Sequence, residues 1–355
     1  NILTTSGEAY SLDIDEDLKI EKKSKKNSRN LVTGLKPLRE YAAIMNLFSH
    51  VSQQDKSILQ VNALPVYACF TTEDIHSVRK FDKTKFKKYN QKPSFGYYEC
   101  YDCRGLLECW IKRLLVLKEA QRGNEEINSV RNAIMEALGP NGCNIISDID
   151  IRHNEGKVYF IFVDGRESES ALLSDGYRRL VNIVIDIAFR CALLNKSMFG
   201  DQCYKHTHGT VIIDEIDEHL HPALQVRVLK ALQDTFPKIQ FIVSTHAPLV
   251  MSSVEPRKDE KGNDINVVYK LEYSDRKYSH KELNIYGMDA STLIETYMGQ
   301  PSRDLKVNTD IKTILELIDK GDIQTARKLL KELEQNIAGG DPELTRMKAL
   351  ISFME

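Results

Sequence analysis

Thr210-Val211-Ile212-Ile213-Asp214-Glu215-Ile216-Asp217-Glu218-His219-Leu220-His221-Pro222 passes from a short β-branched run into two adjacent carboxylates and then a turn. An apolar run of this length is the pattern of a strand buried on both faces of a parallel sheet. Ligand chemistry in such sheets collects outside the carboxyl ends of the strands, where Asp214 and Glu215 stand. Two carboxylates buried side by side are costly unless something positive or proton-donating meets them. The pair is therefore either partnered structurally or reserved for a cation and a water.

Two further stretches belong with it. Downstream, Ile239-Gln240-Phe241-Ile242-Val243 is a second buried strand ending in Ser244-Thr245-His246. Upstream, Leu173-Ser174-Asp175-Gly176-Tyr177-Arg178 opens an apolar-periodic helix over Arg179 to Leu194. Free amides and the dipole at the amino end of that helix favour an anion, and Gly176 lets the backbone approach it closely. An ordinary cap at Ser174 is the alternative.

Bulk composition sets the frame. The chain has 355 residues, net charge −2 and 28% charged residues, enough for a full α/β core with an appended helical region and no global bias toward nucleic acid. Seven scattered cysteines and no signal peptide point to free thiols and a cytoplasmic protein. No apolar run approaches the roughly 20 residues of a membrane-spanning helix.

Along the chain, a strand is expected around Tyr10 to Ile14 and another over Leu64 to Phe70. Basic runs lie at Lys19 to Arg29 and at Arg79 to Lys92, the second interleaved with Phe81, Phe86 and Tyr89; each suits a solvated loop or contact with DNA. Cys100-Tyr101-Asp102-Cys103 lacks the second ligand pair of a structural zinc site. Leu106 to Gly139 is helical with a break between Lys118 and Asn128. Ile145 to Ile151 and Val158 to Val163 form a hairpin around Asn154-Glu155-Gly156. His219-Leu220-His221-Pro222, with His206 and His208 upstream, reads as a turn before a helix from Ala223 to Phe236, with a metal site as the weaker alternative. Edge strands are expected at Val267 to Glu272 and near Leu283. Helices capped by Asn308, Asp322 and Asp341 close the chain.

Taken together, Ser174 through Leu249 resembles the ATPases grouped with SMC, overcoming-lysogenization-defect and bacterial-defence ATPases. Asp214-Glu215-Ile216-Asp217 is similar to their Walker B motif, Ser244-Thr245-His246-Ala247-Pro248 to their switch histidine, and Leu173-Ser174-Asp175-Gly176 to their signature. Tyr286-Gly287-Met288-Asp289, Met298-Gly299, Ile318-Asp319-Lys320-Gly321-Asp322 and Gly340-Asp341-Pro342-Glu343-Leu344 resemble the tail of the PtuA-type ATPases of Septu and retron defence systems. The resemblance implies an ABC-type α/β head with a mixed sheet, an inserted helical arm and a C-terminal helical region. It divides the chain into part of the head with basic loops (1–100), the arm (101–144), the core with its motifs (145–300) and a docking or oligomerisation region (301–355).

For the site, the resemblance implies ATP and Mg²⁺, with Asp214 on the metal, Glu215 polarising the attacking water and His246 on the γ-phosphate. Ser174, Asp175 and Gly176 would contact the nucleotide of the other protomer, and Asp217, His219 and His221 would line the dimer-facing loop. Implied partners are a second copy in a homodimer or higher oligomer, an HNH nuclease of the PtuB type, and in retrons a reverse transcriptase with RNA-linked DNA. One departure stands out: the loop Gly-x-x-x-x-Gly-Lys-Ser/Thr occurs nowhere in these residues, and it is expected upstream. Rival readings are an overcoming-lysogenization-defect-type DNA nuclease or repair ATPase and an ATP-gated scaffold that does not hydrolyse. The first wants a glutamate-glycine strand end and a later Asp-x-Asp, neither of which follows Val254.

Overall fold

The computed structural model describes residues 2–3, 9–10, 63–72, 84–88, 91–101, 106–274, 276–337 and 341–354. The basic run from Lys19 to Arg29, together with Arg79, Lys80, Phe81, Lys83 and Tyr89, lies outside them. Of the strand expected at Tyr10 to Ile14, only Tyr10 is described. It belongs to a two-residue strand β2 (Ala9–Tyr10), paired antiparallel with β1 (Ile2–Leu3).

The organising sheet is parallel, in the order β3 (Val66–Phe70), β7 (Gly209–Ile213), β8 (Ile239–Val243). Gly209 opens β7 at φ +155, and a side chain there would put its Cβ 2.0 Å from the Val66 carbonyl oxygen, so only glycine brings the strands together. One face, with Ala68, Phe70, Val211 and Ile213, is buried in the main core. The other carries Tyr67, Cys69, Thr210, Ile212, Gln240 and Ile242. Its centre is open, with Ile212 41% and Ile242 50% exposed. The expectation of a strand buried on both faces is corrected accordingly. A continuous apolar run records what each face is suited to meet, not whether a neighbour is there.

Covering the buried face is α3 (Asp175–Phe199), a helix apolar nearly all round and correspondingly buried from Leu180 to Asn195. Near its far end Asn195 grips the start of β3: its Oδ1 accepts from Leu64 N–H at 2.8 Å and its Nδ2 donates to the Leu64 carbonyl at 2.8 Å. The segment expected as a helical arm forms α1 (Leu107–Glu119) and α2 (Asn124–Leu138), both packed on α3. The turn between them is narrower than the expected break, with Gly123 at φ +72. Buried polar groups fasten these helices. The Trp110 indole N–H donates to Asp186, which pairs with Arg190, and Arg190 donates to the carbonyls of Gly96 (2.9 Å) and Tyr98 (3.0 Å). Arg113 pairs with Glu126 at full burial, and Lys196 reaches the same carboxylate at 2.7 Å.

Phe86 is fully buried, edge-on to Phe95 and Trp110 at 5.1 Å. That residue is therefore no stacking platform for nucleic acid, contrary to one reading of the second basic stretch. Cys100, Cys109, Cys143, Cys191 and Cys203 carry free thiols, whereas Cys69 is disulfide-bonded, against the expectation of free thiols throughout.

The expected hairpin is present as β4 (Ile146–Arg152) and β5 (Lys157–Phe162), turning through Gly156 at φ +68 and extended by β6 (Glu167–Glu169). Beyond Pro222 the helix expected to run unbroken to Phe236 divides. A helical turn at Pro222–Gln225 precedes α4 (Val228–Thr235), because the Arg227 amide bonds the Leu224 carbonyl three residues back and interrupts the i to i−4 ladder. The expected edge strands pair with each other instead, as an exposed hairpin β9 (Val268–Ser274) and β10 (Lys277–Leu283) separate from the main sheet.

After α5 (Ala290–Thr296), three helices share a hydrophobic cluster of their own: α6 (Leu305–Asp319), α7 (Ile323–Asn336) and α8 (Pro342–Phe353). Asp322 and Asp341 cap α7 and α8 as expected. Asp304, not Asn308, caps α6, accepting from Lys306 N–H at 2.9 Å. Among the described residues no helix is long and apolar enough to cross a membrane.

Candidate active site

The carboxyl ends of β7 and β8 are laced together by the residues that follow them. Asp214 N–H extends the ladder to the Phe70 carbonyl at 2.8 Å, and Ser244 N–H bonds the Ile213 carbonyl at 3.0 Å. The Ser244 hydroxyl donates to the Asp214 carboxylate and accepts from the Glu215 N–H at 2.8 Å. The serine thus orients one carboxylate and fixes the backbone that carries the other. Asp214 is exposed and Glu215 half-buried. Neither pays the desolvation cost that side-by-side burial would carry, so both are open to a ligand.

Past this point the chain turns tightly. Glu218 N–H bonds the Glu215 carbonyl at 2.9 Å, and Leu220 N–H bonds that of Asp217 at 3.0 Å. Glu215 sits at φ +46 and His219 at φ +60, left-handed conformations that residues with a Cβ enter only when held there. The Thr245 hydroxyl donates to Asp217, tying the turn to the segment after β8. His246, beyond the tip of β8, is exposed, as is His219. His221 caps the short helix instead of facing a metal: its Nδ1 accepts from Ala223 N–H at 3.2 Å. Among the described residues no group of three or more His, Cys, Asp or Glu side chains is placed to hold a metal ion.

The amino end of α3 meets the same turn. Ser174 is the N-cap residue, but its side chain makes no capping bond; it and Asp175 are exposed. Gly176 is buried against the turn, and a Cβ there would lie 2.3 Å from the His219 carbonyl oxygen. Its glycine is thus required by contact within the chain, a different reason from the approach to an anion read from the sequence. The structure therefore brings Ser174, Asp175 and Gly176 alongside the 214–221 turn, and Asp214 and Glu215 alongside Ser244.

Three contributors were passed over in the sequence. Ser244 and Thr245 stand there in a strand end and in the switch-histidine stretch with no role of their own, and Arg179 as the start of an apolar helix. Arg179 is buried, paired with Glu218 and donating to the Asp214 carbonyl. A charged residue inside an otherwise apolar-periodic stretch was the available signal. His208, outside this cluster, is held below its usual pKa by burial.

A parallel sheet with carboxylates at one strand end, a hydroxyl and a histidine at the next, and a glycine-bearing helix start packed on the turn after the first fits the α/β head of an ATPase. Residues 55–252, more than half of the chain, match the AAA_21 family, described as "AAA domain, putative AbiEii toxin, Type IV TA system", and the chain belongs to that family. It is 34% identical over 167 residues to "Retron Vc95 probable ATPase" of Vibrio cholerae serotype O1 biovar El Tor, covering 45% of this chain and 31% of that protein. It is 33% identical over 185 residues to "Septu protein PtuA" of Bacillus mycoides (strain KBAB4), covering 50% of this chain and 23% of that protein. The matches thus span about a third and about a quarter of those relatives' lengths. A solved structure reported under "Structural biochemistry of ATP-driven dimerization and DNA stimulated activation of SMC ATPases" is similar at TM-score 0.34 and 14% identity, over 52% of this chain and 98% of that one, too slight a likeness to bear on function.

Proposed function

We propose that this chain is the ATP-hydrolysing part of a bacterial anti-phage defence protein that dimerises around ATP and governs an associated HNH nuclease. The observation that carries the proposal is the Asp214 and Glu215 pair at the end of β7, with Asp214 oriented by Ser244 and the α3 start at Gly176 packed on the same turn at His219. The names of the retron and Septu relatives support the defence setting.

The donor set suits Mg²⁺. That ion takes hard oxygen ligands, commonly one or two carboxylates completed by phosphates and waters, and the exposed Asp214 carboxylate offers such an oxygen beside the Ser244 hydroxyl. When bound, Mg²⁺-ATP supplies the electrophilic phosphorus and charge neutralisation. Glu215 orients and polarises a water, accepting its proton as attack proceeds. His246 donates a hydrogen bond toward the phosphate end of the nucleotide. Ser174 and the first amides of α3, in a left-open helix start, receive the phosphates held by a second copy. Asp217 and His219 line the turn that faces that copy.

No phosphate-cradling Gly-x-x-x-x-Gly-Lys-Ser/Thr loop stands in these residues. The open face of the main sheet at Ile212 and Ile242 is where an additional strand and helix would complete a layer that parallel sheets keep covered. In the retron setting a reverse transcriptase with its RNA-linked DNA would join the assembly.

The test is Glu215→Gln in the full-length protein purified with its operon neighbours, comparing ATP turnover with native mass spectra taken with and without ATP and Mg²⁺. Loss of turnover with an ATP-loaded, even-numbered assembly retained supports hydrolysis at Glu215. Equal turnover in both proteins removes its catalytic role, and assembly without turnover in the unmodified protein favours an ATP-gated scaffold.

A further inference from the structure

Arg179 lies one turn into α3, and its side chain is 1% exposed. Its guanidinium reaches two points on the turn after β7. One terminal nitrogen pairs with the Glu218 carboxylate, and the other donates to the main-chain carbonyl of Asp214. Nε, also buried, has no partner among the described residues. A buried guanidinium that leaves one N–H unmet is poorly optimised for stability, where every donor would be satisfied. The placement of its two grips gives another reason for it.

Asp214 immediately precedes Glu215 at φ +46, and Glu218 immediately precedes His219 at φ +60. Each hold falls one residue before a strained position, and such conformations persist only where the surroundings over-determine them. A second contact from the same helix start, Gly176 against the His219 carbonyl, closes on the other side of the turn.

We infer that Arg179 is a positioning residue for the Asp214 and Glu215 carboxylates. By gripping the Asp214 carbonyl and Glu218 from α3, it keeps the turn in its left-handed conformations, aims both carboxylates, and makes their aim follow the amino end of α3, where Ser174 and Gly176 lie. The catalytic part of this inference rests on the hydrolytic reading of Glu215 proposed above. Arginine suits the task because its planar fork reaches a carboxylate and a carbonyl at once, which a lysine ammonium cannot reproduce.

Arg179→Lys in the full-length protein retains the charge and removes the fork, and Glu218→Gln retains the size and an acceptor oxygen. Three quantities decide: steady-state kcat and KM for ATP, amide hydrogen exchange over residues 214–220, and the thermal midpoint. For Arg179→Lys the expected result is a kcat lower by about tenfold or more with KM within about twofold, since small misplacements of reacting groups carry penalties of that size. Exchange over 214–220 should quicken by about tenfold or more while the β4 and β5 hairpin is unchanged. Glu218→Gln should move both in the same direction by less. A folded Arg179→Lys protein with kcat and local exchange within about twofold of the unmodified protein overturns the inference. So does a uniform quickening across α3 with a lowered midpoint, which marks a merely structural arginine. If Glu215→Gln turns over ATP as fast as the unmodified protein, the hydrolytic reading has failed, and the exchange measurement still decides whether Arg179 holds the turn.

Discussion

Ser244 carries two bonds through a single oxygen, one to the Asp214 carboxylate and one from the Glu215 amide. Ser244→Ala removes both at an exposed site, so the expected stability cost is only about 1 kcal/mol, whereas ATP turnover should fall about tenfold or more; unfolding curves and steady-state kinetics separate the two. Gly176→Ala is the opposite case. Its Cβ would meet backbone, the His219 carbonyl, which cannot swing aside as a side chain would, and the expected cost is about 1–3 kcal/mol with loss of ATP-dependent association, read by denaturant titration and native mass spectrometry. Thiol chemistry gives an independent check on the core. Burial pushes the Cys143 thiol up to about 12 and the Cys203 thiol up to about 11, so both should resist a disulfide exchange reagent at neutral pH until the protein unfolds.

Among the elements, α1 and α3 are joined where the single tryptophan of the chain meets Asp186 and stacks on Phe189 at 4.9 Å. Trp110→Phe keeps much of the packing but leaves a lone pair of a buried carboxylate unmet. A loss of about 1–3 kcal/mol in unfolding free energy is expected. At the other end of the chain, Asp341 caps α8 and pairs with Arg303 at 2.6 Å. Burial alone would raise its pKa, but the Arg303 guanidinium and the Glu343 and Leu344 amides outweigh it and hold the carboxyl below the ordinary range. A depressed folded-state pKa contributes stability above the unfolded value, about 4, and loses it as pH falls through the folded value. Asp341→Ala should therefore lower the unfolding free energy of the α6 to α8 unit at pH 7 by about 1–2 kcal/mol, and the difference from the unmodified protein should shrink toward pH 2.

At the scale of the molecule, the main sheet is finished on one face and open on the other. If a phosphate-loop segment completes it, Ile212 and Ile242 become interior. A cysteine placed at Ile242 should then be protected from a maleimide in the folded protein and exposed by denaturant, which thiol labelling measures directly. Rapid labelling of the folded protein would leave this face open. The exposed hairpin β9 and β10, with Leu271 and Tyr278 on one face, is a separate projection and not a rim of that sheet.

Much of this architecture was legible in the chain because it depends on local rules. Periodicity marked β3, β7, β8, α3 and the β4 and β5 hairpin, and Asp322 and Asp341 announced two helix starts by side-chain bonds to nearby amides. Asp214 and Glu215 stood out as adjacent carboxylates after an apolar run, Ser174 and Gly176 as a Ser-x-Gly at a helix start, and their family resemblance set them together. Other features were decided by contacts between residues far apart in sequence. That one face of the sheet stays open, that Phe86 is interior, that Gly176 yields to the His219 carbonyl, and that Ser244 and Arg179 hold the carboxylate turn all depend on which surface meets which. A sequence pattern states what a residue is suited to touch; only the packed chain brings the partner within reach.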